Sequence, residues 1–137
     1  MYTNIRENSN WVNRSPNVDW VVFVIADNGD RDLLDDLVSN CLDKNVSYAC
    51  SAGQLASFTE WLFDIGIVNK AIQEEDKTGK PYNYGNSPIT TSHKNFSEGF
   101  WFATTLSSRP LKSHFYNQQF FFLRRRKIFV TVLQANH

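Results

Sequence analysis

The sequence predicts an α/β fold: a small three-layer domain with a mainly parallel sheet of three to four strands and helices on both faces. Residues 20–26, WVVFVIA, are an unbroken apolar run rich in β-branched and aromatic residues, typical of a central strand covered on both sides. A helical pattern at 31–44 and a second short run at 46–50, VSYAC, follow directly. A strand, a helix and a strand within about 30 residues form a βαβ unit. We expect 20–26 in the middle of the sheet, flanked by 46–50 and a C-terminal strand.

The chain is expected to form one domain over residues 1–137. Residues 1–18 are polar, with five asparagines and Pro16. They are predicted to form an irregular or edge segment, with Trp11 packed against the core. Residues 111–137 are predicted to form a distinct basic and aromatic C-terminal segment.

The helix predicted at 31–44 has its apolar residues on one face. Asp30 is the expected N-cap, because its carboxylate can accept from free amides of the first turn. Asn45 is expected to end the helix in the left-handed conformation. The opposite face is acidic and comprises Asp32, Asp35, Asp36 and Asp43.

A second helix is expected at 54–77, because apolar residues recur at helical spacing from Leu55 to Ile72. Gly66 is the position at which this helix would break. Residues 79–88, GKPYNYGNSP, form a loop whose length is often functional or mobile.

A short strand is predicted at 89–93, ITTSH, and a helix at 97–108. Ser97 is the expected N-cap of this helix, and Phe96 and Trp101 are expected to form a hydrophobic staple.

The character of the chain changes from Leu111 onward, since no acidic residue follows. KIFVTVL, residues 127–133, is the expected final strand. A tail this apolar and acid-free is poorly protected against aggregation. A shifted reading frame is an alternative origin for it, which relatives that keep the tail in frame would exclude.

No apolar stretch approaches the roughly 20 residues of a membrane span. The N-terminus lacks the basic and apolar regions of a signal peptide. We therefore expect a cytoplasmic protein without a membrane segment. Cys41 and Cys50 belong to no metal-ligand or CxxC pattern, so two reduced thiols are expected, with a reactive Cys50 as the alternative.

The net charge of zero conceals a division between the two halves of the chain. Residues 1–76 hold thirteen acidic and five basic residues, a balance of −8, and residues 77–137 hold one and nine, a balance of +8. Three interpretations stay open: pairing within the fold, self-association, and separate charged faces for partners.

The end of the first predicted strand carries a cluster of polar residues. Ligands of open α/β sheets bind beyond the carboxyl ends of the strands. Asp27, Asn28 and Asp30 would lie there, with Ser51 from the next strand and Thr91 at the rim, and we predict ligand binding by these five residues. Asp27 and Asp30 could also hold Mg²⁺ as the one cofactor considered.

This arrangement is similar to that of receiver-type and phosphohydrolase-type α/β proteins, although the acidic pair and the lysine of a receiver are missing. The alternative is a tight loop with a capping aspartate. His93 is the candidate acid or base for catalysis, but a solvated loop histidine is the interpretation that the sequence favours. No complete catalytic set can be identified by spacing.

The charged segments predict protein partners. Arg124, Arg125 and Arg126 lie among aromatic residues, but a net charge of zero and an acidic first half argue against nucleic-acid binding. These arginines and the acidic helix face are predicted to contact another protein or a second copy, with a homodimer through residues 115–133. The function expected is a non-enzymatic binding module of immunity, inhibitor or regulatory type. The alternative is an α/β enzyme or sensor that binds a metal or a phosphorylated ligand.

Overall fold

The computed structural model describes residues 2–5, 7, 10–108 and 127–133 and shows one sheet with helices on both faces. This confirms the predicted α/β class. Short 3-10 turns cover Asn28–Asp30 and Tyr84–Asn86. The strands are β1 (Tyr2–Asn4), β2 (Trp20–Ala26), β3 (Tyr48–Ala52), β4 (Ile89–Ser92) and β5 (Lys127–Leu133), and the helices are α1 (Trp11–Arg14), α2 (Arg31–Asp43), α3 (Ala56–Thr78) and α4 (Phe96–Ser108).

The strand order across the sheet is β1-β5-β2-β3-β4, and every neighbouring pair is parallel. β2 lies between β3 and β5, as the sequence predicts. The sheet has one strand more than expected, because the polar N-terminal segment contributes β1 at its edge. The next part of that segment forms α1, and its Trp11 is buried in the core.

Helices α2 and α3 cover one face of the sheet. Alternate residues of β2 point to this face, because successive side chains of a strand alternate. Trp20 is fully buried there, and its indole Nε1 donates to the carbonyl oxygen of Lys44 at 2.8 Å, which ties β2 to the end of α2. The cluster includes Val22, Val24, Leu34, Leu37, Val38, Cys41, Ala49 and Phe63.

Helix α4 covers the other face. Val21 and Phe23 of β2 pack there with Cys50 of β3 and with Ala103 and Leu106 of α4. Because both faces of β2 are covered, the strand has no polar positions to alternate with apolar ones. This explains the unbroken apolar run in its sequence.

Helix α3 continues through Gly66 without a break, although the sequence offers a break there. A Cβ atom at this position would lie 2.5 Å from Cδ1 of Leu42, so the glycine allows α2 and α3 to approach closely. Asn45 has a φ of 55° and ends α2 as predicted. β3 begins two residues later than expected, because the backbone N–H of Val46 still donates to the carbonyl oxygen of Cys41 at the end of α2, at 3.2 Å.

The start of α4 differs from the prediction in its capping contacts. Oδ1 of Asn95, rather than Ser97, accepts a hydrogen bond from the backbone N–H of Glu98 at 2.8 Å. The predicted staple is also wrong. Phe96 stacks on Phe100, with ring centroids 5.5 Å apart, and Trp101 is 67% exposed.

Candidate functional site

The loops at the carboxyl ends of β2 and β3 are hydrogen-bonded to each other. Oδ1 of Asp27 accepts from the backbone N–H of Gln54 at 3.3 Å, and the backbone N–H of Asn28 donates to Oε1 of Gln54 at 3.1 Å. The N–H of Leu55 donates to the carbonyl oxygen of Ala26 at 2.9 Å. Asp27 and Asn28, which were predicted to bind a ligand, therefore join one loop to the other.

Gly53 is required for this close contact. Its φ is +91°, and a Cβ atom would lie 2.5 Å from the carbonyl oxygen of Ala26 and 3.0 Å from Oδ1 of Asp27. Any side chain at this position would push the two loops apart.

Asp30 does not act as the predicted side-chain cap of α2. It is fully buried, and its Oδ2 accepts a hydrogen bond from the backbone N–H of Asp27 at 2.9 Å. The N–H of Asp30 in turn donates to the carbonyl oxygen of Asp27 at 2.9 Å. The carboxylate thus closes the 3-10 turn that precedes the helix, because it reaches back along the chain instead of forward.

These contacts do not fit a built metal centre. A carboxylate oxygen of Asp27 and one of Asp30 are directed at backbone amides. Among the residues that the structure describes, no three His, Cys, Asp or Glu side chains lie close enough together to hold a metal ion. Mg²⁺ binding by Asp27 and Asp30 stays a prediction.

Ser51 lies beneath this edge of the sheet and not in the loop above it. It is fully buried beside Val24, on the face that α2 and α3 cover. Its hydroxyl has no hydrogen-bond partner among the described residues. A ligand at the surface could not reach this hydroxyl without a movement of the fold.

His93 is buried, which contradicts the solvated loop histidine that the sequence favoured. Its Nε2 lies 3.0 Å from Oγ1 of Thr91 and its Nδ1 lies 3.3 Å from Oε1 of Glu98. The backbone N–H of His93 donates to the carbonyl oxygen of Ser51 at 2.8 Å. The ring also packs against Phe102, with centroids 5.0 Å apart.

The order of hydroxyl, imidazole and carboxylate in this network is that of a nucleophile, its base and an orienting group. Thr91, however, lies on β4 beside Cys50, on the face of the sheet that α4 covers. Three surface grooves, which are described in later paragraphs, are each lined by other residues than Thr91, His93 and Glu98. The arrangement joins the end of β4 to α4. It was not predicted because it depends on how α4 packs beside His93.

Neither cysteine is a reactive thiol in this structure. Burial raises the pKa of Cys50 to about 11, and the hydrogen bond with Thr91 offsets only part of that effect. Burial also raises the pKa of Cys41 far above its usual range. Because the thiolate is the nucleophile, the protonated and covered thiols act as small apolar groups.

The largest of the three grooves lies at the other end of the sheet, around the amino ends of β3 and β4. It measures about 620 Å³. The long loop at 79–88 forms one wall, in which Tyr82 and Tyr84 pack edge to face with centroids 5.1 Å apart. Oε1 of Glu75 accepts from the backbone N–H of Tyr82 at 2.9 Å, so α3 positions this loop.

Two smaller grooves adjoin α3. One, of about 250 Å³, lies between the end of α3 and the same loop. The other, of about 420 Å³, lies between α2 and α3, where Ser39 and Asp43 face Asn69 and Gln73. The carboxyl end of the sheet, where the sequence predicts a site, contributes no residue to these grooves.

The outer surface of the α2–α3 layer has two parts. On α2 the four predicted aspartates, Asp32, Asp35, Asp36 and Asp43, are all exposed and point away from the core. On α3 four apolar residues are exposed along one side, which we name the apolar stripe. It consists of Trp61 (54% exposed), Ile65 (38%), Val68 (47%) and Ile72 (51%).

The apolar stripe was not predicted, because helical spacing identified the apolar residues of α3 without separating an inward face from an outward one. The inward face of α3 is formed by Thr59, Phe63 and Ala71 instead. A helix that covers a sheet is expected to have one apolar side, which faces the core. α3 has apolar residues on more than one side, and this pattern could have indicated the exposed stripe. The predicted arginines Arg124, Arg125 and Arg126 lie outside the described residues.

None of the helices in the described part of the chain has the length and apolar character to cross a bilayer. A family model described as a domain of unknown function (DUF7684) matches residues 1–117. No curated protein and no solved structure matches the chain.

Proposed function

We propose that this chain, which belongs to the DUF7684 family, is a cytoplasmic, non-enzymatic protein-binding module of immunity, inhibitor or regulatory type. The observation that carries the proposal is the apolar stripe of α3. Contiguous exposed apolar side chains rimmed by polar residues are a mark of protein interaction sites. A surface tryptophan such as Trp61 is the residue type most often found at the energetic centre of an interface.

The contacts around Trp61 support this role. The indole stacks on Phe58, with ring centroids 5.7 Å apart, and the guanidinium of Arg31 lies 4.1 Å from the centroid of the Phe58 ring. A side chain held by a stack loses less conformational entropy when a partner binds. The exposed aromatic surface is therefore already positioned for contact.

The acidic face of α2 adds to the same surface. Exposed charges change the rate at which a partner of opposite charge arrives more than they change the strength of the complex. In this proposal the apolar stripe holds the partner, and Asp32, Asp35, Asp36 and Asp43 attract it.

A homodimer through residues 115–133 stays a separate proposal. An unpaired edge at the final strand would favour such a dimer, but β5 is paired with β1 on one side and with β2 on the other. Residues 115–126 lie outside the described part of the chain. Light scattering at micromolar concentration tests the dimer directly, and a monomer mass at low and high salt would contradict it.

Photo-cross-linking in the native host tests the binding function. A photoreactive phenylalanine analogue at position 61 is expected to capture one discrete protein. The same analogue at Lys94, an exposed position before α4, is the matched control and should not capture it. The captured protein, once purified, should bind the wild type but not Ile65→Asp. Capture of the same proteins from both positions would contradict the proposal.

A further inference from the structure

The spacing within the apolar stripe identifies the shape of its partner. Trp61, Ile65, Val68 and Ile72 are separated by four, three and four residues, which places them in one row along about three turns of α3. The 4-3-4 spacing is that of the a and d positions through which two helices interlock. An extended segment presents side chains every second residue and would not match this row.

The charges around the stripe identify the chemistry of its partner. α2 and α3 together carry nine acidic residues and three basic ones. Two of the three basic side chains have contacts inside the layer: Arg31 lies over Phe58, and Nζ of Lys70 donates to the carbonyl oxygen of Leu42 at 3.4 Å. The outer surface is therefore negative.

The acidic residues border both sides of the stripe. Helical spacing puts Asp64 and Glu75 along one side of it. α2 lies on the other side, because Gly66 faces Leu42 and Phe58 contacts Arg31. An apolar row between two acidic borders is the complement of an amphipathic helix whose apolar row is bordered by Lys and Arg.

We infer that the apolar stripe binds an amphipathic α-helix with basic flanks that belongs to another protein. The inference rests on the proposed function and specifies the partner. A second copy of this chain would bring acidic borders against acidic borders, which costs free energy instead of contributing it. An anionic membrane would be repelled for the same reason.

Two synthetic helical peptides of about three heptads test the inference. Both have leucine at the a and d positions. One has lysine and arginine at the flanking positions, and the other has glutamate there. Fluorescence anisotropy with labelled peptides is expected to show at least about tenfold tighter binding of the basic peptide at low salt, with the difference decreasing as salt screens the charges.

Variants of the protein show whether the stripe is the binding surface. Ile65→Asp and Val68→Asp should each abolish binding of the basic peptide. Ser97→Asp, which adds the same charge at an exposed position of α4, should leave it unchanged. Circular dichroism of each variant establishes that it is folded, and Trp61→Ala provides an uncharged substitution with the same expected loss.

Several outcomes would overturn the inference. These are equal binding of the acidic peptide, binding that survives both stripe substitutions, and a wild-type dimer that Ile65→Asp converts to a monomer. A protein captured through position 61 without binding of either peptide would reject the helical partner while the proposed function stands. Absence of a captured protein, despite peptide binding, would reject the proposed function instead.

Discussion

The two ends of the sheet are built in opposite ways. At the carboxyl ends of β2 and β3, the adjoining loops are joined by hydrogen bonds through Gln54, and Gly53 allows them to touch. At the amino ends of β3 and β4, the loop at 79–88 stands away from the sheet and leaves a groove of about 620 Å³. The usual location of ligand sites in α/β folds is thus the closed end here. Polar residues at such an edge can serve the connection between loops as well as a ligand.

Thiol reactivity should show the largest difference between the two ends. Cys50 is fully buried near the closed end, and Tyr84 in the open loop is 54% exposed. At about pH 8 a dithio reagent should modify a Tyr84→Cys thiol orders of magnitude faster than Cys50, because Cys50 reacts only when the fold opens. The Cys41→Ser background isolates the two thiols. Fast modification of Cys50 in the native protein would contradict a closed carboxyl end.

Substitution of glycines compares the two ends by stability. Gly53→Ala should lower the free energy of unfolding by roughly 2–5 kcal/mol, because it adds a strained φ and a steric contact with backbone. Gly79→Ala is the matched control at the open end, since its φ is +66° but no atom lies within 4 Å of the new Cβ. The control should lose only about 1 kcal/mol. Equal losses in urea titrations would show that the loops are not in close contact.

The smallest effect concerns Asp27. Asp27→Ala removes the acceptor for the Gln54 amide and should lower stability by about 1 kcal/mol. Asn83→Ala, which removes a local contact with the N–H of Gly85, should change it by less than about 0.5 kcal/mol. If Asp27 only joins the two loops, millimolar Mg²⁺ should not change the melting temperature of the wild type. A rise with Mg²⁺ that Asp27→Ala abolishes would instead make this end of the sheet a metal site.

Most of the architecture could be predicted because its main elements have local signals. The apolar run of β2, the periodicity of α2 and the strand-like KIFVTVL segment are short-range patterns that burial imposes on a sequence. The central place of β2 was also accessible, since a strand buried on both faces belongs in the middle, but the full strand order was not. β1 was predicted only as an irregular or edge segment, because its three residues are too few to show a strand pattern.

The candidate site could not be predicted in the same way. Whether Asp27 binds an ion or an amide depends on Gln54, which lies in a different loop. The burial of His93 depends on Phe102 and Glu98 of the next helix. The residues of the apolar stripe have the same apolar character and helical spacing as core residues. They differ only in that the described part of the fold leaves them exposed, and the spacing along one helix does not reveal this.

The position of β5 has a consequence for the order in which the protein is made. β5 follows the other described strands in the sequence, but it lies inside the sheet, and Tyr2 of β1 is paired with Val130 of β5. Of the described strands, β1 is therefore the first to leave the ribosome and the last to find its neighbour, because it must wait until β5 has been synthesised. Until then the β2 edge that faces β5 is an unpaired strand edge, open to association with other nascent chains. Pairing between such distant residues also slows folding, since the intervening chain must be closed into a loop first.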